Sequence, residues 1–303
     1  MQLRAVLSRY YDERVTYIDS GYPKVFKAAQ KHLTRILGSK HTRKINIDEV
    51  DYYIAQRAKG HTDDRGRKMK PPSHATLRRE LNTAISACNW GLAHKWLKPE
   101  DMPVIDLPAP SPVNDNNWLS KKEAAKLIRC AYEIDWRLGL AIAIGVFTGA
   151  RPTRIRYLAW ERVNMKSNII DFRPHNENPD SKKRYVRVRM MLELVPYMEQ
   201  AFRRRGGEGR YWVLGGTQRL EYKFKQAVKA AGLDGRKVTL NTLRHTWATW
   251  SAIDGVDLAM ISRVLGSTLK TVEKRYAHHH PSYQKEATQR RFFEAGDLDL
   301  VTM

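Results

Sequence analysis

The 303-residue chain is poor in cysteine and lacks a long apolar run. Its two cysteines, Cys88 and Cys130, can build neither a disulfide framework nor a CxxC zinc motif. Both fall on apolar faces of predicted helices, where cysteine usually acts as a small buried hydrophobe. The longest apolar run, residues 138–148, is too short to span a bilayer, and the N-terminus lacks a cationic leader followed by an apolar core. The sequence therefore predicts no membrane span and no secretory signal, and it favours a cytosolic or nucleoid-associated protein.

Acidic residues are also scarce relative to basic ones. The chain has 54 Lys and Arg against 32 Asp and Glu, a net charge of +22, and a pI near 10.0. So basic a balance is typical of proteins that bind nucleic acid, although ribosomal and secreted proteins are sometimes basic for other reasons. The hydrophobic content of 42% excludes a disordered basic tail, and the length allows roughly two domains. Charge alone says nothing about catalysis.

The first third of the chain, residues 1–98, reads as a helical domain. Apolar residues at helical spacing predict helices at 22–37 and 48–59, and Ser73 caps a longer one that carries an apolar stripe. Residues 61–72 are polar and end in Pro-Pro, which predicts a loop. Arg78 and Arg79 lie off the apolar stripe, so they are candidates for contacts with DNA phosphates, or else simply solvated.

Proline marks a boundary after this domain. Residues 99–117 hold five prolines and show little periodicity, which predicts an extended linker. A capping box from Ser120 to Glu123 then opens a second domain, residues 118–281, with two strand candidates at 168–172 and 185–190. A tail at 282–303 contains one more helical pattern. The predicted fold class is mainly α with a small β-sheet: a helical N-terminal domain followed by a mixed α/β domain.

Four cationic and aromatic features could carry chemistry. Arg151 follows an apolar helix and a glycine, Arg244 lies early on a predicted helix, a basic patch spans residues 181–184, and Tyr276 comes late. Guanidinium groups bind phosphate oxygens through paired hydrogen bonds, and two of them converging on one phosphodiester would stabilise a five-coordinate transition state. The alternative is that each arginine is one of many on a basic surface. Two arginines, a lysine and a tyrosine are the groups that cutting and rejoining DNA without a metal would need.

Four segments resemble the motifs of the tyrosine recombinase (phage-type integrase) family. TGARPTRIRYLAWERV (148–163) is similar to the first arginine box, and NTLRHTWATW (241–250) is similar to the second, HxLRH. VLGSTLKTVEKRYAHHHP (264–281) resembles the box that carries the nucleophile, and SKKRYVRV (181–188) resembles the hairpin that carries the catalytic lysine. The motifs occur in the family's order and span the second domain. The first domain resembles the family's core-binding domain less specifically.

The resemblance implies a role for each matching residue. Arg151 and Arg244 would activate the phosphate, and Tyr276 would attack it to form a 3′-phosphotyrosyl bond that conserves the energy needed for rejoining. Lys182 would give a proton to the leaving 5′-hydroxyl, with Lys183 as the second candidate. Lys183 and Arg184 would also contact DNA. The alternative for Tyr276 is a buried aromatic residue of the core.

Three positions depart from the family's pattern. Asn241 stands where the second box usually begins with His, Ser267 stands where His or Trp usually follows Leu-Gly, and Arg154 replaces an acidic residue. Asn241 and Ser267 are auxiliary candidates that offer hydrogen bonds, but an amide does not shuttle protons. His245 and His278 are candidates for the missing groups. The departures leave the Arg, Arg, Lys and Tyr set intact.

Neither a metal nor another cofactor is predicted. Adjacent residues such as His278, His279 and His280 rarely converge on one ion, and no acidic or cysteine ligand is spaced to complete a shell. A solvated or phosphate-contacting run is the better interpretation of this triplet.

The resemblance implies a cytoplasmic, nucleoid-associated integrase encoded by a prokaryote or phage. Its partners would be a double-stranded DNA recombination site, three further copies of itself in a homotetramer on DNA, and accessory DNA-bending or directionality proteins. The tail at 282–303 would be exchanged between subunits. Two other functions remain open: a type IB topoisomerase with the same catalytic set, and a DNA-binding protein that keeps the fold with weakened catalysis.

Overall fold

The computed structural model describes residues 1–18, 21–62, 68–110, 117–173, 186–204, 211–216, 220–283 and 285. The chain divides into two compact units, Met1–Pro112 and Val113–Met303. Helices dominate both units, and a small sheet lies in the second, so the predicted fold class is confirmed. Within the described residues no helix is both long and apolar enough to span a membrane.

The helices of the first unit pack around one core. They are α1 (Leu3–Glu13), α2 (Tyr22–Leu37), α3 (Ile47–Ala58) and α4 (His74–Ala93). The Ser73 side chain accepts a hydrogen bond from the Thr76 amide, which confirms the predicted cap of α4. The helices meet through apolar faces that include Leu7, Phe26, Leu33, Val50, Leu81 and Cys88.

A short hairpin lies where the sequence predicts only a loop. Strand β1 (His61–Thr62) pairs antiparallel with β2 (Lys68–Met69). The loop prediction is wrong for these four residues, because two-residue strands are too short to leave a period-2 pattern in a polar segment.

The proline-rich segment from residue 99 to 108 belongs to the first unit and packs against its helical core. Pro99–Asp101 forms a 3₁₀ turn. The Val104 amide donates to the Ile45 carbonyl at 2.9 Å, and Arg78 Nη1 donates to the Pro108 carbonyl at 2.6 Å. This part of the predicted linker is therefore held by hydrogen bonds to its backbone and by apolar contacts of Met102, Ile105 and Leu107.

A buried ion pair joins α3 to α4. Arg57 donates from Nε to Glu80 Oε2 at 3.0 Å and from Nη2 to Oε1 at 2.7 Å, and the Tyr53 hydroxyl donates to Oε2 at 2.7 Å. Burial works against the charge of Arg57, but its hydrogen bonds to Glu80 outweigh that effect and raise its pKa. The positive charge is thus compensated inside the protein.

The second unit is built around α6. Its helices are α5 (Lys121–Ile134), α6 (Trp136–Thr148), α7 (Pro152–Arg156), α8 (Val195–Arg204), α9 (Glu221–Ala230), α10 (Leu240–Ile253), α11 (Leu258–Leu265) and α12 (Leu269–Tyr276). Ser120 and Glu123 form the predicted capping box of α5. Almost every residue of α6 is buried, and it packs against α5 and α10. This central helix carries the chain to Arg151.

A three-stranded antiparallel sheet completes the second unit. The strands are β3 (Val163–Asn164), β4 (Ile169–Asp171) and β5 (Arg187–Arg189), in that spatial order. The two predicted strands are confirmed as β4 and β5, with Asp171 opposite Arg187.

Candidate active site

The C-terminal end of α6 determines the position of Arg151. Gly149 caps the helix at a φ of 64°, a left-handed conformation that side chains other than glycine adopt at a cost. A Cβ atom there would lie 2.8 Å from the Trp247 ring and 2.9 Å from the Leu265 side chain. Glycine is therefore required twice, for its φ and for the close approach. Arg151 follows as the N-cap of α7, with Pro152 at its first position.

Both candidate arginines donate to the turn that ends α11. Gly266 caps α11 at a φ of 57°. Arg151 donates from Nη1 to the Leu265 carbonyl at 3.3 Å and from Nη2 to the Gly266 carbonyl at 3.0 Å. Arg244 donates from Nη2 to the same Leu265 oxygen and from Nη1 to the Gly149 carbonyl, both at 2.9 Å. Carbonyls at a helix C-terminus lack partners within the helix and carry partial negative charge, so they attract guanidinium groups.

The charge of Arg244 is not balanced by a carboxylate among the described residues. Its hydrogen-bond acceptors are neutral carbonyls. Burial, followed by the nearby charge of Arg151, lowers the pKa of Arg244 to about 10. The side chain is still charged at neutral pH, and a bound anion would relieve both effects. The arrangement suits the binding of a phosphate group.

A small pocket opens beside the two arginines. Arg151, Arg154 and Arg244 line it together with apolar residues that include Phe172 and Val186. The Phe172 amide donates to the Val186 carbonyl at 3.1 Å, so the pairing of β4 with β5 continues past both strands to the edge of this pocket. Lys182, Lys183 and Arg184 belong to the sequence between Phe172 and Val186 and lie outside the described residues.

Asp171 forms ion pairs with arginines beside the pocket. Asp171 on β4 accepts hydrogen bonds from Arg173 and from Arg187 on β5, and Arg162 lies 3.9 Å away. Burial alone would raise the pKa of Asp171, but the hydrogen bonds from Arg173 and Arg187 outweigh it and lower that pKa to about 2. Asp171 is therefore ionised at any physiological pH and ties the two strands together.

Tyr276 ends α12 and is buried, with 5% of its surface exposed. Its hydroxyl lies 2.8 Å from Nδ1 of His245, which follows Arg244 on α10. Burial, and then the charges of Arg275 and Arg244, lowers the pKa of His245 below its usual value of 6.5. The imidazole is thus neutral at pH 7, next to the hydroxyl of the candidate nucleophile.

The two auxiliary candidates lie on the elements that carry the arginines. Asn241 is exposed on the first turn of α10, three residues before Arg244 and so on the same side of the helix. Ser267 is half-buried directly after Gly266, and its amide donates to the Ser262 carbonyl at 3.0 Å.

The remaining candidates lie apart from these hydrogen bonds. His278 is exposed after α12. In the first unit Arg78 is held by the Pro108 carbonyl, whereas Arg79 is exposed on α4. Over the part of the chain that the structure describes, no three His, Cys, Asp or Glu side chains cluster as a metal shell would require.

Sequence reasoning missed the backbone groups that hold the arginines. The carbonyls of Gly149, Leu265 and Gly266 carry no side-chain signal of their own. Gly149 and Gly266 do stand where α6 and α11 end, and glycine after a helical pattern indicates a C-cap with exposed carbonyls. That signal predicts two helix ends, but not that the ends face each other.

Residues 117–282, more than half of the chain, match the family model described as the phage integrase family. The protein belongs to this family of tyrosine recombinases. It is 24% identical over 237 residues to the integrase of Salmonella phage P22, a match that covers 72% of this chain and 58% of the relative. It is also 24% identical over 267 residues to an integrase of Streptomyces ambofaciens, covering 78% of this chain and 66% of the relative. The matches thus span less than two thirds of either relative.

Solved structures of integrases share the fold. One is the Tn1549 transposon integrase in complex with transposon right end DNA, with a TM-score of 0.74 and 14% identity over 96% of this chain and 99% of the other. Another is a lambda integrase tetramer bound to a Holliday junction, with a TM-score of 0.68 and 15% identity over 97% and 80% of the two chains. At such low identity the likeness establishes the fold, which is that of the tyrosine recombinases.

Proposed function

We propose that this integrase-family protein is a site-specific DNA recombinase that cuts and rejoins DNA through a covalent 3′-phosphotyrosine at Tyr276, without metal or ATP. One observation carries the proposal. Arg151 and Arg244 donate to the same carbonyl, and the residue after Arg244 is hydrogen-bonded to Tyr276. The cationic side chains of Arg151 and Arg244 and the candidate nucleophile Tyr276 are therefore connected through neighbouring hydrogen bonds.

In the proposed reaction the Tyr276 hydroxyl oxygen attacks the scissile phosphorus. The bond from phosphorus to the 5′-oxygen breaks, and the leaving oxygen takes a proton from Lys182, with Lys183 as the second candidate. Arg151 and Arg244 stabilise the charge that builds up on the non-bridging oxygens. The phosphotyrosyl ester then accepts attack by a 5′-hydroxyl of another strand, which restores the phosphodiester and frees the tyrosine.

Arg244 suits this role because its hydrogen bonds to protein carbonyls leave other N–H groups that can donate to a substrate. A guanidinium has five N–H donors, and two of those on Arg244 go to the Gly149 and Leu265 carbonyls. The other three N–H donors of Arg244 have no hydrogen-bond acceptor among the described residues. Arg244 lines a pocket together with Arg151 and Arg154, and a phosphate bound there would compensate its charge.

The partners follow from the relatives and from the charge of +22. The Tn1549 integrase was solved with transposon end DNA and the lambda integrase as a tetramer on a Holliday junction. By extension we propose a double-stranded DNA recombination site, a homotetramer on DNA, and accessory DNA-bending or directionality proteins for this chain.

The domain roles are part of the same proposal. Residues 1–98 would bind core-site DNA, with Arg79 and Arg78 near phosphates, and 99–117 would link them to the catalytic domain at 118–281. The tail at 282–303 would dock on a neighbouring subunit. Its predicted helix at 283–295 lies outside the described residues except for Tyr283 and Lys285.

Covalent trapping on a nicked suicide substrate tests the proposal. The DNA comes from the sequence that flanks the gene, and the reaction contains excess EDTA. We expect the wild type to form an adduct that mass spectrometry maps to Tyr276, and Tyr276→Phe to bind the same DNA with nearly unchanged affinity but form no adduct. An adduct that persists in Tyr276→Phe, or cleavage that requires magnesium or zinc, would contradict the assignment.

The same assay separates the two other functions. Relaxation of supercoiled DNA that lacks a special site would indicate a type IB-like topoisomerase. Specific DNA binding without any adduct would indicate a DNA-binding protein of this fold with weakened catalysis, consistent with Asn241 and Ser267 at their positions.

A further inference from the structure

The proton on Tyr276 needs an acceptor when its oxygen becomes bonded to phosphorus. The position where a His usually opens the second box holds Asn241, whose amide does not take up a proton and which is exposed on α10. His245, four residues later on the same helix, places its Nδ1 2.8 Å from the Tyr276 hydroxyl oxygen. This distance is within the range required for direct proton transfer.

Release of the accepted proton would involve the second ring nitrogen of His245, Nε2. Nδ1 bonds to Tyr276, and Nε2 has no hydrogen-bond partner among the described residues. The His245 side chain is half-buried rather than fully enclosed in the core. A neutral imidazole protonated at Nε2 accepts at Nδ1, and the resulting imidazolium can release its Nε2 proton to solvent.

The charges around His245 keep it in the accepting form. Arg244 lies next to it on α10, and Arg275 lies next to Tyr276 on α12; both oppose a positive charge on the ring, as burial does. α10 also packs against α6, α11 and the 3₁₀ turn after α12. The titratable or charged side chains of these elements are Arg137, Arg263, His278 and His279, and α12 also carries Lys270, Glu273 and Lys274.

We propose that His245 is a catalytic residue that takes the Tyr276 proton during cleavage and returns it during rejoining. The inference rests on the proposed function. In cleavage the bond between phosphorus and the tyrosine oxygen forms, the bond to the 5′-oxygen breaks, and the phenolic proton moves to Nδ1. The 5′-oxygen receives a separate proton from the lysine named above. In rejoining both proton movements reverse.

A substrate with sulfur in place of the scissile 5′-oxygen isolates this step, because a thiolate leaves without a general acid. We expect His245→Asn, which keeps a hydrogen-bonding group near the position of Nδ1, to slow single-turnover adduct formation by about 100-fold or more. Melting temperature and DNA affinity should stay near those of the wild type. The wild-type rate should fall at acid pH with an inflection below pH 6.5, because the pKa of His245 is lowered. His245→Asn should lack that inflection.

Chemical rescue separates proton transfer from positioning. Added imidazole should accelerate His245→Ala, and substituted imidazoles should accelerate it in the order of their basicity. Equal rates for His245→Asn and the wild type would overturn the inference while leaving Tyr276 as the nucleophile. So would a slow variant that keeps the wild-type pH inflection and shows no rescue, or an inflection lost in His278→Asn instead. A wild type that forms no adduct at Tyr276 overturns the proposed function itself.

Discussion

The two units each hold an arginine away from solvent, but they treat its charge in opposite ways. Arg57 in the first unit is buried against the carboxylate of Glu80, and its pKa is raised. Arg244 in the second unit bonds to neutral carbonyls beside Arg151, and its pKa is lowered to about 10. The charge of Arg57 is compensated by Glu80, whereas the charge of Arg244 has no compensating carboxylate among the described residues.

We infer from this difference that Arg57 has a structural role and that Arg244 has a functional one. A paired buried charge is costly to break, because removing one partner leaves the other uncompensated. A cation held by carbonyls near a second cation is strained until an anion arrives, and perturbed groups of this kind concentrate at functional sites. Arg57 should therefore matter for stability, whereas Arg244 should matter for catalysis.

The largest expected effect is on catalysis by Arg244→Ala. Loss of its donors should slow single-turnover adduct formation on the order of 1000-fold, about 4 kcal/mol in the barrier, since it removes charge stabilisation from the transition state. DNA affinity should fall far less, because the chain has 54 Lys and Arg residues in total that can contribute to binding. A gel-shift titration with the same substrate measures binding. Equal losses in binding and in cleavage would reduce Arg244 to an ordinary phosphate contact.

The next effect is on stability, through Glu80→Gln. This change leaves the buried charge of Arg57 without its carboxylate, and we expect the free energy of unfolding in urea to fall by about 3 kcal/mol. The adduct rate per folded molecule should not change. The matched double variant Arg57→Met with Glu80→Leu should recover most of the loss, because it removes both charges together. A cost below about 1 kcal/mol for Glu80→Gln would show that the pair is not structurally important.

A smaller effect is expected from changing Gly149, whose carbonyl accepts a hydrogen bond from Arg244 at the end of α6. Gly149→Ala places a Cβ atom 2.8 Å from Trp247 at a positive φ. We expect a loss of about 2 kcal/mol in stability from strain and contact. The adduct rate should fall about tenfold, because the Gly149 carbonyl that holds Arg244 shifts.

Gly235→Ala is the matched control for that change. It lies in the same unit, and a Cβ atom there meets nothing within 4 Å. Its stability and adduct rate should remain near wild type. If Gly149→Ala behaves like Gly235→Ala, the close approach at the end of α6 does not position Arg244.

Most helices could be predicted because their apolar spacing and caps are local. The range of α2 agrees with the sequence pattern, α3 is displaced from its predicted range by one residue, and β4 and β5 lie within the predicted strands. The patterns did not reveal α7 or β3, since elements of five and two residues are too short to show a period.

The site could be predicted only as a set of side chains. Motif resemblance supplied Arg151, Arg244 and Tyr276, and left His245 as one of two histidine candidates. The pairing of Arg151 with Arg244 on the Leu265 carbonyl depends on where two helices end in space, which no local pattern encodes. The same is true of Arg57 and Glu80, which lie 23 residues apart on two helices.

The charge of the scissile phosphate offers the most direct test of the claim that Arg244 is reserved for it. A methylphosphonate substrate replaces one charged oxygen with a neutral methyl group and keeps the same attack by Tyr276. Adduct rates are measured for the wild type and Arg244→Ala on both substrates. The account predicts that the penalty of Arg244→Ala falls at least tenfold on the methylphosphonate, because less charge needs stabilising. An equal penalty on both substrates would contradict it and make Arg244 a structural residue like Arg57.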